Sequence, residues 1–197
     1  MINVKVSRRS WVCRVMARGE LSGSKVAIVI MLMLLAVPVR AEDGLVSCPK
    51  VSPSNNIYSS HAVYRDSVVA LEMGDAQFPV FLALYRKTDG LCVKKVVDRY
   101  PVEGSSPNVQ SLFFEMIKGK ENLLLIVRWE VNHRGIGTYG DFYKIYAYEN
   151  DGAGWLKTNK EVGDMKSLRG IDGYQDGQSS NFDLKDAAAV RKYLRDR

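Results

Sequence analysis

The feature that most constrains the fold is a series of short apolar runs separated by turn residues, between residues 62 and 160. Thr88-Asp89-Gly90 and Asn150-Asp151-Gly152 separate neighbouring runs, and Asp-Gly pairs supply the positive backbone dihedral angles that tight hairpins require. This spacing predicts an antiparallel sheet. The predicted strands are residues 62–73, 78–87, 91–100, 111–117, 123–131, 142–148 and 155–160.

Two of these runs indicate how the sheet is buried. In residues 123–131 the apolar residues alternate with Arg128 and Glu130, as in a half-buried strand. Residues 78–85 are apolar on both faces, which predicts a central strand. Strands do not alternate with helical patterns, so a parallel doubly wound sheet is not predicted.

The C-terminal segment changes to helical periodicity, with apolar residues at Leu184, Ala187, Val190 and Leu194. This pattern predicts one amphipathic helix packed on the sheet, with Asp183 as its N-cap. The predicted fold class is therefore α+β: a twisted, meander-like antiparallel sheet of about six or seven strands with one C-terminal helix.

The aromatic side chains of residues 142–148 share one face of their predicted strand, because Phe142, Tyr146 and Tyr148 are separated by even numbers of residues. Tyr143 and Ile145 fall on the other face. The favoured interpretation places the face of Phe142 under the C-terminal helix; the alternative leaves it exposed.

The N-terminus predicts export. Residues 1–41 contain basic residues, a fourteen-residue apolar run at 26–39 and small residues before a cleavage point after Ala41. That run is shorter than the roughly 20 residues that span a bilayer, so a cleaved signal peptide, periplasmic localisation and no stable membrane anchor are predicted. Met16 is an alternative start. Residues 42–56 are predicted to be an irregular lead-in to a single domain at 57–197.

The charge of the exported chain argues against a nucleic-acid partner. The whole chain carries a formal charge of +6, but removing residues 1–41 leaves 21 basic and 21 acidic residues. A nucleic-acid-binding protein needs a basic surface that survives processing, and none is indicated.

Two of the three cysteines, Cys48 and Cys92, remain after cleavage, and an even pair in an oxidising compartment predicts a disulfide. Closing this loop would stabilise the fold by about 4 kcal/mol in the chain-entropy picture. Two free thiols are the alternative. Residues 45–48 also resemble a lipid-attachment motif, but Glu42 and Asp43 interrupt the continuous apolar signal that lipidation requires.

Gly135, Gly137 and Gly140 form a G-x-G-x-x-G pattern, which in dinucleotide-binding proteins precedes a helix. Here a β-branched and aromatic run at 141–148 follows instead, so nucleotide binding is not predicted. The pattern is interpreted as an eight-residue connection, residues 133–140, between two long strands.

This connection is the predicted partner-binding site, because loops commonly hold binding residues and Arg and Tyr are frequent interface anchors. A solvated loop without a partner is the alternative. The candidate residues are His133, Arg134, Thr138 and Tyr139.

Catalytic motifs are lacking in the sequence. Outside the signal there are two histidines, His61 and His133, and no zinc, nucleophile-elbow or dithiol motif. No catalytic residue, metal or cofactor is therefore predicted, and the protein is not predicted to be an enzyme. Residues 170–181 contain two Asp-Gly pairs, at Asp172 and Asp176, which are interpreted as turns; a calcium loop is the alternative.

The patterns at 123–148, 167–174 and 182–188 resemble small periplasmic immunity proteins encoded beside type VI secreted antibacterial toxins. The resemblance implies a stoichiometric inhibitor that occludes a toxin's active site through residues such as His133, Arg134 and Tyr139. Two alternatives stay open: a periplasmic hydrolase or small-ligand-binding protein with a site at His133, Glu130 and Asp141, and a purely structural envelope protein. The identity of the partner and the oligomeric state are left open.

Overall fold

The computed structural model describes residues 44–196, which form two antiparallel sheets and two α-helices. The predicted signal peptide lies outside the described residues. Sheet 1 contains β1 (Gly44–Val46), β2 (Ile57–Ser59), β3 (Ser67–Met73), β4 (Val80–Thr88) and β5 (Leu91–Tyr100). Sheet 2 contains β6 (Asn108–Ile117), β7 (Lys120–His133), β8 (Thr138–Asn150), β9 (Leu156–Thr158), β10 (Arg169–Gln175) and β11 (Gln178–Ser180). The helices are α1 (Lys160–Gly163) and α2 (Ala187–Arg195), and 3-10 turns cover Pro53–Asn55, Arg134–Ile136 and Lys166–Leu168.

Two-residue turns connect β4 to β5, β6 to β7 and β10 to β11. The strand order is β1-β5-β4-β3-β2 in sheet 1 and β11-β10-β8-β7-β6 in sheet 2, with β9 paired to β8. Asp89 and Gly90 join β4 to β5, and both have positive φ angles, 49° and 84°, as two-residue hairpins require. The turn chemistry seen in the sequence therefore fixes the register of this hairpin.

The two sheets share one apolar core. Leu82 and Leu84 of β4 belong to the same buried cluster as Leu125 and Trp129 of β7. The Trp129 indole donates from Nε1 to the Pro101 carbonyl oxygen at 2.9 Å, so its polar atom is satisfied inside the protein. As predicted, β4 is central in its sheet.

The second face of sheet 2 is covered by the C-terminal part of the chain. Leu124 and Ile126 of β7 and Ile145 of β8 cluster with Leu168 and with Val190 of α2. Residues 123–127 of β7 are thus fully buried on both faces. The predicted half-buried pattern extends only beyond them, at the partly exposed Arg128 and exposed Glu130.

The predicted α+β fold class, mainly antiparallel sheet with one C-terminal helix, is confirmed. The strands are divided between two sheets, and three strands of three residues each, β1, β2 and β11, were not predicted. Strand β10 was not predicted, because its Asp172-Gly173 pair was interpreted as a turn. The predicted irregular lead-in at 42–56 contains β1 and a 3-10 turn.

The aromatic face of β8 lies on the side opposite to the predicted one. Phe142, Tyr146 and Tyr148 pack in the core between the sheets, whereas Tyr143 and Ile145 pack beneath the helix layer. The prediction was wrong because it assumed a single sheet, for which the helix was the only available cover.

Helix α2 begins three residues later than its apolar pattern indicated. It starts at Ala187, and the cap is Asp186, whose Oδ1 accepts from the Ala189 N–H at 2.9 Å. Asp183 was therefore the wrong cap; it accepts from the Asn181 side chain instead. Within residues 44–196 neither helix is long and apolar enough to cross a membrane.

The predicted disulfide between Cys48 and Cys92 is present, with 4.9 Å between the Cα atoms. Cys92 lies in β5 and is buried, whereas Cys48 follows β1 and is partly exposed. The bond fastens the N-terminal segment to sheet 1, and it fits an oxidising compartment.

Candidate functional site

The predicted site lies at the tip of the β7–β8 hairpin. The two strands remain paired to their ends, where His133 faces Thr138 across the ladder. The connection is therefore the four residues 134–137 rather than the predicted eight, and a bond from Gly137 N–H to the Arg134 carbonyl oxygen closes it at 3.0 Å. Strand β8 begins directly after Gly137 and contains Gly140, so the helix that a dinucleotide fingerprint needs is not formed.

A second hairpin, β10–β11, supports this tip. Gly177 N–H donates to the Gly137 carbonyl oxygen at 2.9 Å, and Asp176 N–H donates to Thr138 Oγ1 at 3.1 Å. A Cβ on Gly137 would lie 2.6 Å from the Gly177 nitrogen, so the close approach requires glycine there. Part of the glycine pattern therefore serves contact between hairpins. Thr138 has a structural role as an acceptor in that contact.

Three side chains form a stacked group on one face of the tip, here called the tip ladder: Arg134, Tyr139 and Tyr174. The Arg134 guanidinium carbon lies 4.8 Å from the Tyr139 ring centroid. The Tyr139 and Tyr174 rings are stacked, 4.8 Å apart and inclined by 17°. Asn132 Oδ1 accepts from Arg134 Nε at 3.2 Å, which further orients the guanidinium. The contacts that orient the ladder come from within the chain.

Tyr174 was missed by the sequence analysis. It lies in β10 directly opposite Tyr139, in a segment that was interpreted as turns. Ile136 was also missed, although it sits within the predicted loop and its side chain is 69% exposed at the tip. A strand assignment for residues 169–175 would have paired the two tyrosines.

The four predicted residues are not on one surface. Strand alternation places His133 and Thr138 on one face of the hairpin and Tyr139 on the other, with Asn132 as its cross-strand neighbour. The structure thus brings Arg134 and Tyr139 together and separates them from His133.

A polar groove of about 430 Å³ lies beside the tip ladder on the same face of sheet 2. Its floor contains a row of three carboxylates, because Asp141 lies opposite both Glu130 and Asp172 in neighbouring strands. Arg128 Nη1 contacts Asp141 at 3.1 Å, and Lys185 Nζ contacts Asp172 at 2.8 Å. The hydrogen bond to Asp172 raises the pKa of Lys185, since it favours the charged amine.

The groove does not assemble the hydrolase site that the alternative prediction requires. Glu130 and Asp141 are neighbours in it, but His133 lies on the opposite face of the hairpin and does not line it. A general acid or base must reach the reacting group within hydrogen-bonding distance, so these three residues cannot act together in this arrangement.

Residues 170–181 form most of the β10–β11 hairpin rather than a calcium-binding loop. Asp176 and Gly177 make its two-residue turn, with φ angles of 53° and 78°, whereas Asp172 lies within β10. Among residues 44–196, no group of three or more His, Cys, Asp or Glu side chains is placed to hold a metal ion.

Comparison with known proteins found no relative of this chain. No protein-family model matches the chain, and no curated protein or solved structure is significantly similar to it.

Proposed function

We propose that the protein binds a protein partner through the tip of the β7–β8 hairpin. The observation that carries the proposal is the tip ladder next to Ile136, an apolar side chain that is 69% exposed at the end of two long strands. Arg and Tyr are enriched among the residues that dominate binding energy in protein interfaces. The tip thus combines two anchor types with an apolar side chain.

The order of the ladder favours tight binding. Immobilising a flexible side chain at an interface costs roughly 0.5–1.5 kcal/mol. Arg134 is already held by Asn132 and by the Tyr139 ring, and Tyr139 is held against Tyr174. These side chains therefore lose little further freedom on association, and the free-energy cost of immobilising them is reduced.

The most specific form of the proposal is an immunity protein that neutralises a secreted antibacterial toxin in the periplasm by occluding its active site. The sequence resemblance supports this form, and the Cys48–Cys92 disulfide supports an oxidising compartment. Occlusion needs no catalytic group in the inhibitor. Arg134 and Ile136 would enter the toxin's cleft.

A pull-down of the tagged protein from periplasmic and secreted fractions tests the proposal. We expect one partner at stoichiometric level, identified by mass spectrometry, and at least a tenfold weaker affinity for Arg134→Ala combined with Ile136→Asp. Met116→Ala is the matched control. Met116 is 58% exposed and lies in β6, opposite Glu121 at the start of β7, at the end of the strand that is far from the tip.

The outcomes separate the candidate functions. Equal loss of binding in the tip variant and the control, or no partner in any fraction, would refute tip-mediated protein binding. The polar groove favours a small-ligand-binding protein as the second candidate. In that case native mass spectrometry of the purified protein would show a bound small molecule, lost in Arg128→Ala.

A further inference from the structure

The N-terminal segment, residues 44–59, forms both edges of sheet 1. Its first part, β1, pairs with β5, where Val46 faces Cys92. Its last part, β2, pairs with β3 at the opposite edge, where Ile57 faces Ala70. We call residues 44–59 the strap, because the chain between these strands has to pass from one edge of the sheet to the other.

The strap crosses the face of sheet 1 that points away from sheet 2. Val46, Cys48 and Ile57 pack against a small cluster that includes Ala83 and Tyr85 of β4, whereas Leu82 and Leu84 face the core between the sheets. The strap therefore covers a minor core, and of its residues Tyr58 also packs against the core between the sheets. Its release would take the Tyr58 contact from that core and leave the packing of β4 against β7 in place.

The strand pairing of the strap extends over few residues at both ends. Each of β1 and β2 pairs over three residues, whereas the β4–β5 pairing extends over nine. Three-residue strands packed on a small cluster belong to the part of a fold that opens at low cost. Besides the main chain that leads from β2 into β3, the Cys48–Cys92 bond is the one covalent cross-link between the strap and the rest of sheet 1 within residues 44–196.

We propose that the Cys48–Cys92 disulfide is a redox latch: its reduction releases the strap and opens both edges of sheet 1, while sheet 2 and its tip stay folded. The latch makes closure of sheet 1 depend on an oxidising environment. An open edge presents unpaired backbone groups of β3 and β5 that can pair with another chain.

A dithiol is the reductant in this reaction. Its thiolate attacks the sulfur of the partly exposed Cys48, because Cys92 is only 2% exposed, and the Cys92 thiolate leaves and takes up a proton. The second thiol of the reductant then displaces the Cys48 sulfur, which is protonated in turn. Two electrons and two protons reach the protein, and the reductant becomes a disulfide.

Hydrogen exchange followed by mass spectrometry tests the latch on the purified protein with and without dithiothreitol. In the reduced protein we expect at least tenfold faster exchange at residues 68–70 and 92–94, which pair with the strap. Residues 123–127 of β7 should exchange at an unchanged rate. Ser54→Ala, with the disulfide intact, is the control and should match the wild type.

Two results would overturn the proposal. One is unchanged exchange at both edges after the mass confirms two free thiols, which would show that the strap holds without its bond. The other is an equal increase at residues 123–127, which would show global unfolding. Cys48→Ser combined with Cys92→Ser should reproduce the reduced pattern; if that variant does not fold, the comparison with dithiothreitol on folded protein decides.

Discussion

Gly140 of β8 and Gly173 of β10 face each other, and neither position has room for a side chain. A Cβ on Gly140 would lie 2.3 Å from the Asp172 carbonyl oxygen, and one on Gly173 would lie 2.4 Å from the Tyr139 carbonyl oxygen. The φ angles are 131° and 147°, outside the range that other residues readily adopt. The pair lets β10 run close to β8, which places Tyr174 against Tyr139.

Gly140→Ala should therefore destabilise the protein and disturb the tip ladder. The backbone strain alone costs about 1–3 kcal/mol. Urea unfolding measures the loss, and Gly135→Ala is the matched control, because a Cβ there meets nothing within 4 Å and the residue has no positive φ angle. An effect of similar size in both variants would contradict this explanation of the glycine pattern.

The stability of the protein should fall at alkaline pH because of two phenols between the sheets. The hydroxyls of Tyr100 and Tyr148 are 2.9 Å apart, and Tyr148 donates to Asp98 Oδ2 at 2.6 Å. Burial raises the pKa of both phenols well above the usual 10.0. Above pH 10 the unfolded chain releases these protons while the folded state retains them. The contribution of the two phenols to the free energy of unfolding is thus fully present below pH 10 and is lost as the pH rises above it.

Each phenol should contribute a slope of about 1.4 kcal/mol per pH unit in this range. Urea unfolding between neutral pH and about pH 11 measures the total slope. Tyr148→Phe removes one phenol and should make the slope shallower, although it also lowers the stability at neutral pH by about 1–3 kcal/mol through the lost hydrogen bonds to Asp98 and Tyr100. A free energy of unfolding that stays constant above pH 10 would refute the prediction.

Arg86 should anchor the loop between β8 and β9 to sheet 1. Its guanidinium carbon lies 3.9 Å from the Tyr64 ring centroid and 4.5 Å from that of Trp155, and Nη1 donates to the Ala153 carbonyl oxygen at 2.9 Å. Arg86→Lys keeps the charge but loses the planar stacking, which should cost about 1–2 kcal/mol.

The loss of stacking in Arg86→Lys should also shift the fluorescence emission of Trp155 in the folded protein. Lys87→Ala is the control for this variant, because Lys87 is the exposed neighbour in β4. Its stability should stay within about 0.5 kcal/mol of the wild type. Identical emission spectra for Arg86→Lys and the wild type would argue against the anchor.

Arg191 should protect the β6 edge of sheet 2 from pairing with another molecule. It reaches from α2 to the edge strand, where Nη2 donates to the Phe114 carbonyl oxygen at 3.0 Å and Nε to Glu115 Oε2 at 2.7 Å. Arg191→Ala frees that carbonyl oxygen, and exposed edge strands favour association.

Light scattering coupled to size-exclusion chromatography measures this effect. We expect an average mass that rises with concentration for Arg191→Ala relative to the wild type. Lys192→Ala changes an exposed neighbour on the same helix and should behave like the wild type. No difference between the two variants would show that β6 is protected in another way.

The sequence predicted the long strands because their signals are local. The Asp89-Gly90 turn and the apolar run of β4 need only neighbouring residues to be recognised. Strand β10 could not be predicted in this way. Its Gly173 serves a contact with Gly140, more than thirty positions earlier in the chain, and in isolation it looks like part of a turn.

The division into two sheets could not be predicted for a different reason. Tyr146 and Ile145 are both largely buried, one between the sheets and one beneath the helix layer, so the alternation in β8 does not tell which face meets which partner. The tip ladder depends on the same tertiary information, because it joins residues of the β7–β8 connection, β8 and β10. Sequence spacing alone indicated Arg134 and Tyr139 but not Tyr174.

The burial of β7 on both faces has a consequence for the order in which the protein matures. The outer cover of Leu124 and Ile126 is completed only when Phe182 and Val190, which follow β11, join the cluster. During synthesis, a chain that stops short of these residues presents a stripe of aliphatic side chains on an otherwise complete sheet. Such a stripe is what chaperones and proteases recognise, so a newly made molecule stays open to quality control until residues 182–190 have been added and have packed.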